Sequence, residues 1–109
     1  MGRSKNELLP GTLDMLVLKV LETGPQHGYG ITTRLDQLSS AVLQVEEGSL
    51  YPALYRMEQR GWIQSEWAVT DNNHRARFYK LTRAGRRQLG EETQSWARMT
   101  AAVQSVLSS

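Results

Sequence analysis

Residues 46–62 constrain the fold more than any other part of the chain, because they carry the signals of one short helix with a start and a stop. Ser49 is a good N-cap, since its hydroxyl can accept a hydrogen bond from an amide of the first turn. Pro52 then falls in the first turn, where its missing N–H costs little. Gly61 lies where a left-handed residue commonly ends a helix. The buried stripe, with i, i+4, i+7 spacing, is predicted to be Leu50, Leu54 and Met57.

The opposite face of this helix, the third along the chain, has an unusual composition for a surface that meets only water. At about 100° per residue it presents Pro52, Tyr55, Arg56 and Gln59, with Tyr51 on its flank. Ordinary exposed helix faces consist mostly of Lys and Glu. The composition favours a helix presented to a partner such as the DNA major groove, which admits a helix. A partly exposed structural helix that carries two tyrosines is the alternative.

Length and composition narrow the class of protein. A chain of 109 residues fits one domain with a modest core. The absence of cysteine excludes a disulfide framework and thiolate metal sites, and is compatible with a reducing cytoplasm. The sequence contains no apolar run near the ~18 residues of a membrane span, and no signal-peptide segment near its start. We therefore expect a cytoplasmic protein without a membrane partner.

The net charge of +2 conceals an uneven distribution. Between His74 and Gly90 there are 6 basic residues and no acidic one, which leaves 7 of the 13 bases against all 11 acids elsewhere. Such a segment favours contact with a polyanion, although a solvated charge run is the common alternative. The six bases are Arg75, Arg77, Lys80, Arg83, Arg86 and Arg87.

The first half of the chain predicts two helices before the third. Residues 1–10 are expected to be an arm, and Thr12 is the expected N-cap of an apolar first helix that ends at Gly24–Pro25. A second helix should run from near His27 to near Ser39, with glycines that suggest a close approach to a neighbour. Residues 41–45 are expected to form a brief strand. The apolar positions of the first helix are Leu13, Met15, Leu16, Val17, Leu18, Val20 and Leu21.

After the third helix the apolar period changes from 3.6 to two, which predicts a β-hairpin. Residues 63–69 and 75–81 are its strands, and residues 71–74 are a turn cluster. The tip and the return strand carry three candidates for phosphate contact: His74, Arg75 and Arg77. Arg77 can instead pair with Glu66 across the hairpin, because cross-strand opposite charges attract.

A long final helix should start at Thr82 as N-cap and run from Arg83 to about Leu107. Its apolar residues follow a heptad pattern that Glu92 interrupts, which predicts a seam for a second helix and hence a homodimer. Packing of this helix on the first helix of the same chain is the alternative. The predicted interface residues are Leu89, Trp96, Met99, Val103 and Val106.

Together these elements predict a mainly α fold with a small β-hairpin, in the order of a winged helix-turn-helix that binds double-stranded DNA. The expected divisions are an arm (1–10), a DNA-binding domain (11–82) and a dimerisation helix (83–109). Hydroxyls and guanidinium groups can donate to phosphate or to a guanine edge, and a proline can contact a thymine methyl. The candidate DNA-binding residues are Ser49, Tyr51, Pro52, Tyr55, Arg56, His74, Arg75 and Arg77.

Four segments closely resemble the PadR family of bacterial transcriptional regulators: residues 28–31, 47–58, 61–63 and 77–85. The resemblance implies a winged helix-turn-helix, a homodimer made by the C-terminal helix and, usually, repression at a palindromic promoter site. The single C-terminal helix is similar to the short branch of the family. In some short members a planar drug-like molecule stacks on tryptophans at the dimer interface, and Trp96 matches that position. The alternative is that Trp96 only packs the seam.

Other classes of function find little support. His27 and His74 are too few and too far apart for a metal site. Glu46 and Glu47 are adjacent, so we interpret them as charges near a helix N-terminus and not as a catalytic pair. No nucleophile–base arrangement or phosphate-binding loop is present, so neither an enzyme nor a cofactor is expected. A winged-helix adaptor that binds proteins without DNA remains the second hypothesis.

Overall fold

The structure is a computed structural model that describes residues 11–109. Within this range the helices are α1 (Thr12–Leu21), α2 (Gly28–Leu38), α3 (Glu47–Gln59) and α4 (Arg83–Leu107). The strands are β1 (Gln26–His27), β2 (Ile63–Val69) and β3 (Arg75–Leu81), in one antiparallel sheet of order β1-β3-β2. The predicted α+β winged helix-turn-helix is confirmed. The arm predicted for residues 1–10 lies outside the described residues.

Helix α1 supplies the centre of the core, since Val17, Leu18 and Leu21 are almost completely buried. It contacts α2, α3, α4 and β3. The predicted stripe of α3 is also confirmed, because Leu50, Leu54 and Met57 are buried against this core. Each such side chain contributes roughly 1.5–3 kcal/mol through removal of apolar surface from water. This burial fixes which face of α3 is left for solvent or a partner.

The start of α3 differs from the prediction. The helix begins two residues before Ser49, with Glu46 in the N-cap position and no side-chain cap, so the assignment of Ser49 as N-cap was wrong. Pro52 lies in the second turn rather than the first. Its missing N–H leaves the carbonyl of Gly48 without a helical donor, and Gly48 is exposed, so water can supply one. The earlier start places Ser49 on the exposed first turn.

The end of α3 follows the prediction. Gly61 has φ +80°, its N–H donates to the carbonyl of Glu58, and the N–H of Trp62 donates to that of Met57. This pair of hydrogen bonds is a Schellman motif, which requires a left-handed residue after the helix. The chain thereby turns directly from α3 into β2.

Two further expectations at the N-terminal half were wrong. Gly11, with φ +87°, is the N-cap of α1, and Thr12 is its first residue. Residues 41–45 form no strand, because Ser40 and Ala41 both have positive φ and turn the chain away from an extended path. The third strand lies instead at Gln26–His27 and pairs with β3.

The wing, defined here as residues 63–81, confirms the predicted hairpin. Its register places Trp67 opposite Arg77 and Glu66 opposite Phe78. Neighbouring residues of a strand point to opposite faces, so Glu66 and Arg77 lie on different sides of the sheet. The predicted alternative pair between them was therefore wrong.

Helix α4 has the predicted bounds and the predicted cap, because the Thr82 hydroxyl accepts a hydrogen bond from the Gly85 N–H at 3.0 Å. Leu89 is buried in the core of its own chain, so it has little surface left for the dimer seam where we expected it. From Gly90 onward almost every residue of α4 is exposed. Over residues 11–109, no helix is long and apolar enough to cross a membrane.

Candidate nucleic-acid interface

The outward face of α3 carries the aromatic residues that the sequence placed there. Tyr55 is 66% exposed, and Ser49, Tyr51 and Pro52 are also exposed. They share this face because the apolar stripe of the same helix is held against α1 and α2. The surface therefore offers three hydroxyl groups and a proline ring to whatever approaches α3.

Tyr51 is held in place by the close approach of α2 to α3. A Cβ atom added to Gly28 would lie only 2.3 Å from the Tyr51 hydroxyl, so glycine at position 28 leaves the room that this side chain occupies. The predicted close approach of the α2 glycines is confirmed here. Tyr51 therefore keeps an exposed edge while its ring covers the first turn of α2.

Arg56 is exposed, yet one of its nitrogens is already engaged. Its Nη2 donates to Oδ1 of Asp14 on α1 at 2.6 Å, with 45% of the Arg56 side chain and 7% of the Asp14 side chain exposed. Charge-assisted hydrogen bonds of this length are among the stronger ones in proteins. The remaining N–H groups of Arg56 are thus oriented by α1. We did not predict Asp14, although its place as the one acidic residue among the apolar positions of α1 was a usable signal.

Arg77 is tied to the end of α3 by a short chain of hydrogen bonds. Its Nε donates to the Ser65 hydroxyl at 2.8 Å, and that hydroxyl donates to Oε2 of Glu58 at 2.7 Å. Nη2 of Arg77 lies 3.9 Å from the same carboxylate oxygen. Because Glu58 belongs to α3 and Ser65 to β2, these contacts fix the angle between the wing and α3.

Trp67 joins the two arginines of the wing. The guanidinium carbon of Arg75 lies 5.1 Å from the centre of the Trp67 ring system, and that of Arg77 lies 5.8 Å from it. Both distances fall within the range of cation–π attraction. His74, in the turn, is exposed next to them. We did not predict Trp67 as part of this surface.

Two other titratable residues, His27 and Tyr79, have structural roles in the fold. His27 caps α2, because its Nδ1 accepts a hydrogen bond from the Gly30 N–H at 3.0 Å. Burial raises the pKa of the Tyr79 phenol above its ordinary value of 10.0, and the charge of Arg77 opposes that rise. No cluster of three or more His, Cys, Asp or Glu residues with the spacing of a metal site occurs in residues 11–109.

Comparison with known proteins identifies the family of this chain. The model of the PadR-like family of transcriptional regulators matches residues 17–91, which include all of α2, α3 and the wing. The chain belongs to the PadR family. PadR regulators bind DNA, and a helix-turn-helix does so by placing one of its helices in the major groove.

Named relatives of this PadR protein support the assignment. It is 41% identical over 66 residues to a transcriptional regulator of Mycobacterium tuberculosis, covering 61% of this chain and 58% of that protein. A PadR-like regulator from Bacillus cereus has 29% identity and a TM-score of 0.76, with 89% of this chain and 92% of that chain covered. A PadR family regulator from Eggerthella lenta has 32% identity and the same TM-score, with 89% and 82% covered.

Proposed function

We propose that this PadR regulator is a homodimeric repressor that binds a palindromic promoter site. In this proposal the outward face of α3 enters the major groove and the wing contacts the neighbouring backbone. The observation that carries it is the placement of exposed hydroxyls on α3 beside a wing whose tip and return strand carry His74, Arg75 and Arg77. The adaptor alternative leaves the composition of both surfaces without an explanation.

The dimer is supported by the part of α4 that leaves the core. Trp96, Met99, Val103 and Val106, here called the seam, repeat at intervals of three, four and three residues, and all four are exposed. This spacing is that of the apolar positions of a coiled coil. An apolar stripe on a helix that its own chain leaves uncovered suits a second copy, since the same stripe on each copy is self-complementary.

A two-fold dimer also predicts the form of the DNA site. Two α3 helices related by the dimer axis would enter successive major grooves, so the half-sites should lie about one helical turn apart, or a multiple of it. Each phosphate contact releases condensed counterions, so the affinity should fall steeply with salt. A palindrome upstream of a regulated gene is the natural target for such a repressor.

The candidate residues fall into three groups. Ser49, Tyr51, Pro52 and Tyr55 are proposed to contact DNA directly from α3. His74 and Arg75 are proposed phosphate contacts at the wing. For Arg56 and Arg77 we propose two roles each, one in the fold and one in DNA binding. Each donates one hydrogen bond to a protein acceptor and has further N–H groups for DNA.

A gel-shift titration on the DNA upstream of the protein's own gene tests this proposal. Tyr51→Phe removes the hydroxyl and keeps the ring over Gly28, and Arg75→Ala removes a cation from the wing; both should weaken binding. Arg98→Ala, on the exposed part of α4, is the matched control and should bind like the unmodified protein. Binding that does not depend on salt, or no binding at any palindrome, would support the adaptor.

The seam suggests how repression is relieved. Trp96 is 42% exposed, and two such rings across the dimer axis can enclose a flat apolar ligand by stacking. We propose that a small planar apolar effector binds there and releases the DNA. Titration of planar dyes into a Trp62→Phe/Trp67→Phe variant follows Trp96 emission alone, since the chain has 3 tryptophans. Unchanged emission would show that Trp96 only packs the seam.

A further inference from the structure

The two arginines of the wing are held in different ways. Arg77 is anchored through Ser65 to Glu58 of α3, so its position follows from the packing of β2 on that helix. Arg75 lies one pleat nearer the tip, on the same face of β3. Among residues 11–109 no carboxylate lies within ion-pair distance of Arg75, and its described partner is the ring of Trp67 at 5.1 Å.

Trp67 is placed to connect these two residues. It lies directly opposite Arg77 in the sheet, and Val69, on the same face of β2, lies directly opposite Arg75. Its ring is therefore diagonal to Arg75, a separation that an aromatic side chain can span. The Trp67 side chain remains 56% exposed, so packing in the core does not explain why a tryptophan occupies this position.

We propose that Trp67 is a positioning residue for the wing: it orients the guanidinium group of Arg75 for contact with a DNA phosphate. This inference rests on the proposed DNA contact of the wing. A free arginine loses rotamer freedom when it binds a phosphate, and a side chain that is already oriented loses less. Arg77, anchored to α3 through Ser65 and Glu58, holds the Trp67 ring in place. The ring in turn orients Arg75, so the position of Arg75 at the tip of the wing depends on α3.

The same surface admits a different role, in which the Trp67 ring itself contacts sugar or base. The two roles predict different couplings. If Trp67 acts through Arg75, removal of the ring has an effect only when Arg75 is present. If the ring contacts DNA, its removal weakens binding whether or not Arg75 is present. A double-mutant cycle separates them because each single change removes one partner of the pair.

The experiment measures the operator affinity and its salt dependence for Trp67→Ala, Arg75→Ala and the double variant. We expect Trp67→Ala to raise the Kd about two- to fivefold, the range of an exposed cation–π contact. In the Arg75→Ala background the same change should have no effect. Arg75→Ala should reduce the slope of log K against log salt by about one, and Trp67→Ala should reduce it by no more than that.

Two further variants serve as controls. Trp67→Tyr keeps an aromatic face under Arg75 and should restore most of the affinity. Val69→Ala shortens the neighbouring exposed apolar side chain on the same face and should leave the Kd unchanged. Thermal unfolding without DNA checks that each variant is folded, which the exposure of both positions favours.

Three outcomes would overturn the positioning role of Trp67. Loss of affinity on Trp67→Ala that persists in the Arg75→Ala background would overturn the positioning role in favour of direct contact. An unchanged Kd for Trp67→Ala, with a weakened Arg75→Ala, would overturn the inference and leave the proposed function intact. If Arg75→Ala itself binds normally, the wing contact of the proposed function fails and the inference fails with it.

Discussion

Helices α1 and α4 both carry an apolar stripe, but the chain itself covers that of α4 only at its start. Helix α1 lies between α2, α3, α4 and β3, and six of its ten residues are buried. Helix α4 has 25 residues and contacts mainly α1 and β3, and its buried residues are Gly85 and Leu89, both within its first seven residues. The rest of its apolar stripe extends into solvent.

The difference shows that apolar periodicity identifies a face to be buried but not what buries it. A helix of 25 residues is about 37 Å long, which exceeds what the small core beneath it can cover. The two helices also differ in the bonding of the acidic residue that interrupts each apolar stripe. Asp14 within α1 has an ion-pair partner on α3, whereas Glu92 within the stripe of α4 accepts a hydrogen bond from Gln88 of its own helix. If a second copy covers α4, changes in the two helices should have different consequences.

The largest effect is expected for Leu18→Ala in α1. Leu18 is completely buried, and truncation of such a leucine costs about 2–5 kcal/mol of the free energy of unfolding. Chemical denaturation should show the loss at every protein concentration, because the cavity forms within one chain. Leu107→Ala, an exposed leucine of α4 outside the seam, is the control and should change stability by less than about 0.5 kcal/mol.

Trp96→Ala should act on association and little on the fold of each chain. Tryptophan is enriched among the interface residues whose truncation costs about 2 kcal/mol or more, so the dimer Kd should rise roughly 30-fold. Sedimentation equilibrium over a range of concentrations measures this change. Gln94→Ala, off the seam, is the matched control. A mass that is the same for the Trp96 variant and the unmodified protein would count against the seam.

The Asp14–Arg56 pair should show an asymmetry that follows from burial. Arg56→Ala leaves the buried Asp14 carboxylate without its cation and should cost about 2–4 kcal/mol, less than a fully buried pair because part of Arg56 is exposed. Asp14→Ala leaves an arginine that can turn to water and should cost about 1 kcal/mol. Denaturation without DNA measures both; equal costs would mean that Asp14 is better solvated than its position indicates.

The smallest effect, and the one that sharpens the contrast most, is expected for Glu92→Leu. A polar residue at one heptad position lowers the stability of a helix pair, so leucine there should tighten the dimer by about 1 kcal/mol, roughly fivefold in Kd. Sedimentation at low concentration detects this change. Glu91→Leu, one residue earlier and off the stripe, is the control. A dimer Kd that is unchanged in the Glu92 variant would exclude this residue from the interface.

The elements that depend on local pattern were predictable from the sequence. Periods of 3.6 and two located the helices and the hairpin, and Thr82 and Gly61 marked ends that depend on one or two neighbouring amides. Strand β1 was missed because two residues carry no period, and they become a strand only by pairing with β3. The strand expected at residues 41–45 did not form because Ser40 and Ala41 have positive φ, a backbone feature that the apolar pattern does not reveal.

For the candidate site, the sequence by itself determined which residues face outward: the buried stripe of α3 leaves Tyr55 on the other side, and the alternation of β3 places Arg75 and Arg77 on one face. Tertiary structure alone decided which of these groups are engaged. Asp14 lies 42 residues from Arg56, and Glu58 lies 19 from Arg77, so no local pattern encodes either contact. Both contacts form because the packing of the apolar faces of α1, α3 and the wing brings charged side chains that are distant in sequence next to each other.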